Sequence, residues 1–394
     1  MIVIEVLIGA LAGLLLFPVL VLFLQVLMAL LPMRASVAPT GKRPKVAVLV
    51  PAHNEAAVIA ATLETLLPQL QSGDRLLVVA DNCSDDTAAL ARAAGAEVHE
   101  RTDHERRGKG YALDFGVRHL EADPPEVLLI VDADCQVEAG AIDRLARLAV
   151  TAKRPVQALY LMGSPPGAGL KMRIAEFAWV VKNQVRPLGY QKLGLPCQLM
   201  GTGMAFPWED IQSADLASGH IVEDLKLGLD LCRQGKAPLF CPDAKVTSVF
   251  PGNEEGVRDQ RTRWEHGHLG VMVNDAPKLL AEAIVKGKGH LLAMTLDLLV
   301  PPLALLALLV MAVFSCSLVF FAISGAMVPA GISLAGITLL LSAILMAWAG
   351  FGRNVISLTN LAFAPLYAAL KVPLYLKFLV SRQVEWVRSK RDPK

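Results

Sequence analysis

Residues 127–134 read Val127-Leu128-Leu129-Ile130-Val131-Asp132-Ala133-Asp134. Five consecutive apolar residues follow Pro124-Pro125 and end on two carboxylates one residue apart. A short unbroken apolar run suits a strand buried on both faces of a parallel sheet. Carboxylates at the carboxyl end of such a strand sit where open α/β sheets bind ligands. Their oxygens are hard ligands for Mg²⁺ or Mn²⁺, which carboxylates commonly share with substrate phosphates. The pair predicts a nucleotide-diphosphate site with a divalent metal. Taken by itself it carries little weight, because acidic residues end many strands.

The neighbouring segments repeat the pattern. Residues 46–50 form an apolar strand that runs into Pro51-Ala52-His53-Asn54-Glu55, and a helical pattern follows to about Leu67. The strand at 76–80 ends in Asp81-Asn82-Cys83-Ser84-Asp85-Asp86-Thr87, a stretch able to close a turn and cap a helix. A weaker strand at 97–99 precedes Arg106-Arg107-Gly108-Lys109-Gly110, which opens another helix. After 127–131 come a helix over 139–150 and a strand over 156–161. Strand and helix alternate, which predicts a mainly parallel sheet covered on both faces. No G-x-G-x-x-G follows any of these strands, which argues against a dinucleotide dehydrogenase. Past residue 165 the rhythm fades. Residues 170–186 look helical, Gly201-Thr202-Gly203 is a tight small-residue loop, Val222-Glu223-Asp224 starts a helix to about Gln234, and Gln260-Arg261-Thr262-Arg263-Trp264 lies on another.

The two ends differ from this middle. With 54% hydrophobic residues and a mean hydropathy of +0.47, the chain of 394 residues is too apolar for an ordinary soluble protein. Residues 2–32 carry only Glu5 and Gln25 as strongly polar side chains, long enough for a membrane helix. Ser36-Val37-Ala38 resembles a signal-peptide cleavage site, but the segment lacks a basic start and its apolar run is too long. Arg34, Lys42, Arg43 and Lys45 follow, so the charge rule puts that end in the cytoplasm and the N-terminus outside. Apolar character returns from His290, interrupted by Asp297 and Pro301-Pro302. A second span is expected from about 301 and a third over 327–349. Residues 355–380 carry Lys371 and Lys377, and the basic tail Arg382, Arg388, Lys390 and Arg391 follows. That charge favours an amphipathic helix on the inner surface over a fourth crossing. The expected division is a membrane helix over 1–33, a cytoplasmic α/β domain over 45–285, a membrane region over 290–350 and an interfacial helix with basic tail over 355–394. Net charge is only +2, which gives no case for nucleic acid as a partner. The six cysteines form no C-x-x-C pair, in keeping with a reduced, cytosolic central domain.

Four signals then stand in order: Asp81, Asp132-Ala133-Asp134, Glu223-Asp224 and Gln260-x-x-Arg263-Trp264. This set resembles the membrane-bound family 2 glycosyltransferases, the group of cellulose, chitin and hyaluronan synthases, over about residues 45–270. The segment 196–207, with Gly201-Thr202-Gly203, is similar to bacterial exopolysaccharide glycosyltransferases. The resemblance implies a GT-A, Rossmann-like nucleotide-diphospho-sugar transferase domain beside transmembrane helices. It implies an inverting transfer from a UDP-sugar to a glycan or lipid-linked acceptor at the bacterial inner membrane, in contact with membrane lipids, as monomer or oligomer. By the same match Asp134, with Asp132 beside it, would hold Mg²⁺ or Mn²⁺. Asp132 would also face the nucleotide, Asp81 would bind uracil or ribose, and Pro51, His53 and Glu55 would lie by the base. Lys109 suits a phosphate or nucleotide contact. Asp224 is the candidate general base, helped by Glu223. Val222 stands where the family usually has Thr. Gln260 and Arg263 would bond the pyrophosphate, Trp264 would face the acceptor sugar, and Gly201, Thr202 and Gly203 would admit the acceptor. Two other readings fit the same motifs: a glycolipid synthase of the ceramide-glucosyltransferase kind, and a non-catalytic nucleotide-sugar sensor.

Overall fold

The computed structural model describes residues 1–32, 41–252 and 254–380. Arg34, the Ser36-Val37-Ala38 stretch and the basic tail Arg382, Arg388, Lys390 and Arg391 lie outside the described residues. The described residues divide into two compact units, one centred on 41–165 and 195–267, the other on 1–32, 166–194 and 268–380.

The first unit holds an eight-stranded sheet. Its strands are β1 (Val46–Ala52), β2 (Arg75–Asp81), β3 (Glu97–Arg101), β4 (Val127–Ile130), β5 (Gln136–Val137), β6 (Val156–Gly163), β7 (Met204–Pro207) and β8 (Leu239–Val249). They run in the order β3-β2-β1-β4-β7-β6-β8-β5. β3, β2, β1 and β4 are mutually parallel, as the strand–helix alternation predicts. The apolar run after Pro124-Pro125 is wholly buried along β4, because helices cover both faces there. Leu49, Leu77, Leu113, Leu128, Phe206 and Leu227 belong to one core.

β7 is antiparallel to β4, with Ile130 opposite Met204 and Val127 opposite Pro207. That pairing decides where the site forms. An antiparallel neighbour starts where β4 ends, so the loop leading into β7 arrives beside Asp132. The sheet beyond β4 is mixed: β6 is antiparallel to β7 and parallel to β8, and β5 is antiparallel to β8. β7 and β8 lie in the part where the β/α rhythm of the sequence fades. β7 is only four residues long, and the β6–β8 register shifts between Ala158 and Leu159.

The second unit is helical. Among the described residues, four helices are long and apolar enough to cross a membrane: Ile2–Ala29, Leu303–Ser324, Met327–Gly352 and Leu358–Val380. The last consists of three short helical pieces, Leu358–Leu361, Ala364–Ala369 and Val372–Val380. Three buried polar residues of this unit, Gln25, Arg186 and Asp297, pair with one another. Asp297 accepts from Arg186 at 2.7 and 3.1 Å and from Gln25 Nε2 at 2.6 Å. An unpaired charge there would be costly, and the guanidinium fork on the carboxylate answers that cost. The helix Arg186–Lys192 packs close against Ile2–Ala29: a Cβ on Gly189 would lie 1.9 Å from the Gln25 carbonyl oxygen. Only a residue without a Cβ permits that approach, the small-residue logic of packed membrane helices. Gly189→Ala is therefore expected to destabilise this unit by about 2 kcal/mol, since overpacking typically costs about 1–3 kcal/mol. Thermal unfolding in detergent, compared with wild type, checks it.

Candidate active site

The carboxyl ends of β2, β1 and β4 lie side by side, and the candidate residues gather there. At β4, Ala133 O accepts from Thr62 Oγ1 at 2.8 Å, and the backbone N–H of Asp132 donates to Thr202 Oγ1 at 3.0 Å. The Asp132-Ala133-Asp134 turn is thus pinned from both sides. Lys109 is the first residue of the helix Lys109–Leu120. Its ammonium pairs with Asp132 Oδ1 at 2.5 Å, donates to Gly201 O at 2.6 Å and lies 3.9 Å from Glu223 Oε1. A solvated surface cation is the ordinary expectation for a lysine; this one links three separate elements.

Glu223 and Asp224 open the helix Glu223–Arg233. A Cβ on Gly201 would lie 3.3 Å from Asp224 Oδ2, so the loop backbone borders this carboxylate directly. Gly201 has φ +88° and Gly203 φ +64°, which only glycine adopts without strain. Arg263, on the helix Glu254–Asn274, lies within electrostatic reach of Glu223, Asp132, Asp134 and Asp224. Gln260 stands three residues before Arg263 and four before Trp264, one helical turn from each. Gln260 and Trp264 are half-buried, and Gln260 Oε1 accepts no hydrogen bond from the described residues.

Charge at the centre is uneven. Four carboxylates, Asp132, Asp134, Glu223 and Asp224, face two cations, Lys109 and Arg263. Burial raises the Asp132 carboxyl, opposed by Lys109 and helped by Asp134. Burial also pushes Glu223 up to about 7, against Lys109 and with Asp224. Burial works against the Lys109 ammonium, but Asp132 and Glu223 outweigh it and hold its pKa above the ordinary value. Arg263 is lowered by burial, with the carboxylates opposing. A divalent cation fits this donor set: hard oxygens, and an excess of two formal negative charges when all four carboxylates are ionised.

The Glu223 shift carries a pH signature. Its folded pKa is raised above the unfolded value, so its stabilising contribution is full below about pH 4.5. That contribution is lost as pH climbs through about 7. Glu223→Gln removes the titration. The melting temperature of the metal-free variant relative to wild type is expected to rise between pH 5 and pH 8.

A second corner lies at the ends of β1 and β2. His53 Nδ1 is 2.7 Å from the Asp81 carbonyl oxygen, and the Glu55 backbone N–H donates to Thr87 Oγ1 at 2.7 Å. Pro51 lies opposite Val79 in the β1–β2 register. Asp81 is 6% exposed, and its Oδ1 accepts from Arg101 Nη1 at 2.6 Å and Asn82 Nδ2 at 3.1 Å. Arg101 also bonds Asp103 Oδ2 and the Arg106 carbonyl, each at 2.9 Å, and lies over the Tyr111 ring. Sequence reasoning missed Arg101: it ends an edge strand of little apolar character, and nothing in its neighbours distinguishes it from a solvated cation.

A further trio, Glu97, His99 and His119, brings its ligand atoms within 4.8 Å of one another. The Glu-x-His spacing on a strand was the only local sign of it, and His119 comes from another element. Arg75 forks onto both Glu97 oxygens at 2.8 and 3.1 Å, and His119 Nε2 is 2.6 Å from Glu97 Oε1. Those hydrogen bonds already occupy the carboxylate.

Residues 44–267 match the model of the glycosyltransferase like family 2, and residues 171–367 match that of the glycosyl transferase family group 2. The chain belongs to the family 2 glycosyltransferases. The probable glycosyltransferase YdaM of Bacillus subtilis (strain 168) is 35% identical over 248 residues, covering 58% of this chain and 56% of that protein. An uncharacterized glycosyltransferase of Mycobacterium tuberculosis (strain ATCC 25618 / H37Rv) is 34% identical over 122 residues, 29% of this chain and 51% of that one. The chain thus spans about half the length of these curated relatives. Among solved structures, a mannosyltransferase from Pyrobaculum calidifontis in complex with GDP-Man and Mn²⁺ aligns over 95% of this chain and 100% of its own, at TM-score 0.55 and 17% identity. That likeness shows the GT-A fold.

Proposed function

We propose that the protein is an inverting, UDP-sugar-dependent transferase at a bacterial inner membrane. Its acceptor would be a membrane-associated glycan or lipid-linked sugar of an exopolysaccharide pathway. The observation that carries this reading is the convergence of Asp132, Lys109, Gly201 and the Glu223–Asp224 pair at the end of β4. Asp134 and Asp132 would hold Mg²⁺ or Mn²⁺, which when bound neutralises charge growing on the leaving diphosphate. Asp81 supplies a carboxylate oxygen for a base or ribose, with Pro51, His53 and Glu55 along the same edge. Arg263 and Gln260 suit the pyrophosphate, and a guanidinium matches paired phosphate oxygens. Trp264 gives the acceptor sugar a flat apolar face.

In the transfer, the acceptor oxygen bonds to C1 of the sugar as the bond from C1 to the β-phosphate oxygen breaks. The electron pair leaves with UDP, and the acceptor's proton passes to Asp224. Attack from the face opposite the leaving group inverts C1. Lys109, freed from Asp132 by the arriving nucleotide, can follow the phosphate charge. The catalytic domain would face the cytoplasm, where nucleotide sugars are made, with residues 355–380 along the inner surface.

The solved mannosyltransferase was bound to GDP-Man, so a GDP-sugar is the alternative donor to test beside UDP-sugars. The experiment supplies the purified protein in lipid nanodiscs with Mn²⁺, radiolabelled nucleotide sugars and a bacterial lipid extract. Label in a polymer or a polyprenyl-linked fraction is expected from a UDP-sugar, with inversion at C1 read by NMR. A single sugar on a diacyl or sphingoid lipid would select the glycolipid-synthase reading instead. Binding without any transfer would select the sensor.

A further inference from the structure

We propose that Gln157 is a positioning residue for the transfer, acting through the backbone of Met200 and Thr202; this rests on the transferase reading. Gln157 is the second residue of β6 and is wholly buried. Its Nε2 donates to Thr202 O and Ala158 O, both at 2.9 Å, and its Oε1 accepts from Met200 N at 2.8 Å. One side chain thereby grips the loop on each side of Gly201.

What Gly201 touches explains why that grip matters. Its carbonyl accepts from Lys109 Nζ at 2.6 Å, and its α-carbon borders Asp224 Oδ2. Thr202, gripped through its carbonyl, accepts from Asp132 N through its own hydroxyl at 3.0 Å. The chain of contacts from Gln157 therefore reaches both the metal-side carboxylates and the candidate base. The loop 198–203 has no ladder of its own before β7 begins, so its backbone has few other means of holding this register. A buried amide is a specific choice for the task. It donates twice and accepts once here, and an apolar side chain of equal size would leave Met200 N and Thr202 O without their partner.

A positioning role separates binding from turnover. Nucleotide affinity rests mainly on the side chains of Asp81, Asp134 and Arg263, which the bonds above do not reach; Asp132 and Lys109 are reached only through a backbone N–H and a loop carbonyl. Turnover depends on the distance between Asp224 and the acceptor hydroxyl whose proton it takes, and a displacement of about 1 Å can cost about 100-fold.

The test measures UDP or GDP release from UDP-glucose, UDP-galactose, UDP-N-acetylglucosamine and GDP-mannose by the protein in nanodiscs with Mn²⁺ and a bacterial lipid extract as acceptor source. Rates are normalised to Mn²⁺–UDP binding sites counted by titration calorimetry, so that misfolded protein drops out. Gln157→Met is expected to lower kcat per site by about 30- to 100-fold, with KM within about threefold of wild type. Gln157→Glu is expected to recover to within about fivefold, because a buried carboxyl stays neutral and keeps one donor and one acceptor. Where Gln157→Met does not bind Mn²⁺–UDP, Gln157→Asn carries the test, with the same split between kcat and KM. A kcat per site within threefold of wild type in the Met or Asn variant overturns the proposal. Parallel loss of kcat and UDP affinity in every variant also overturns it, by making Gln157 a plain core residue. A wild type that releases no nucleotide from any of the four donors sinks the transferase reading, and the proposal with it, before any variant is compared.

Discussion

Asp224→Asn is expected to lower transfer by about 10²- to 10⁴-fold, the range a positioned general base contributes. Asparagine keeps the size of the side chain and removes the proton acceptor. The alternative role for Asp224 is structural: it stands in the first turn of the helix Glu223–Arg233, where a carboxylate favours the macrodipole. That role is worth only about 0.3–1 kcal/mol of stability. The two roles therefore predict different outcomes. A catalytic base gives a collapse of kcat with Mn²⁺–UDP affinity and melting temperature nearly kept. A purely structural carboxylate gives a small loss of stability and near-normal kcat. Steady-state kinetics beside calorimetric UDP titration separate them.

Asp134→Asn is expected to abolish the metal dependence of nucleotide binding and to lower turnover by about 10³-fold or more, since several kcal/mol of leaving-group stabilisation depend on the cation. Asp134 is the better choice for this test, because Asp132 is also paired with Lys109 and its loss would free that ammonium. The expected signature is a Mn²⁺–UDP affinity that no longer responds to EDTA. An Asp134→Asn variant with wild-type metal response would move the metal elsewhere and remove the main role given to this carboxylate.

How much of this was legible in the sequence follows from which interactions are local. β1, β2 and β4 are buried on both faces, so their burial is written into unbroken apolar runs. Each ends in polar residues that its own strand places at the sheet's carboxyl edge. Asp81 and Asp132-Ala133-Asp134 could therefore be placed at strand ends, while Glu223-Asp224, at the start of a helix, gained its reading only from the order of the four signals. Three of the four helices apolar enough to cross a membrane were legible because a spanning segment is apolar along its whole length; the fourth, Leu358–Val380, read as interfacial from its lysines. β7 and β8 were not. β7 is four residues between Gly203 and a short helix, and its role depends on pairing antiparallel to a strand some seventy residues earlier. The sheet's change from parallel to mixed at β4 is a long-range fact with no local trace. Gln157 escaped for the same reason: inside an apolar strand one amide reads as noise until the loop it grips is folded beside it. Asp297 showed in the sequence only as a break in apolar character, because its partners Arg186 and Gln25 lie 111 and 272 residues away.

The most direct test of the central claim is nucleotide release by the purified protein in lipid nanodiscs. It compares wild type with Asp224→Asn, each with Mn²⁺ and with EDTA, over UDP-sugars and GDP-sugars. The account predicts release from a UDP-sugar by wild type with Mn²⁺, little with EDTA, and little from Asp224→Asn even when it binds Mn²⁺–UDP normally. Release that is unchanged in Asp224→Asn, or a wild type that binds nucleotide sugars and releases nothing in the presence of native lipid extract, would contradict it.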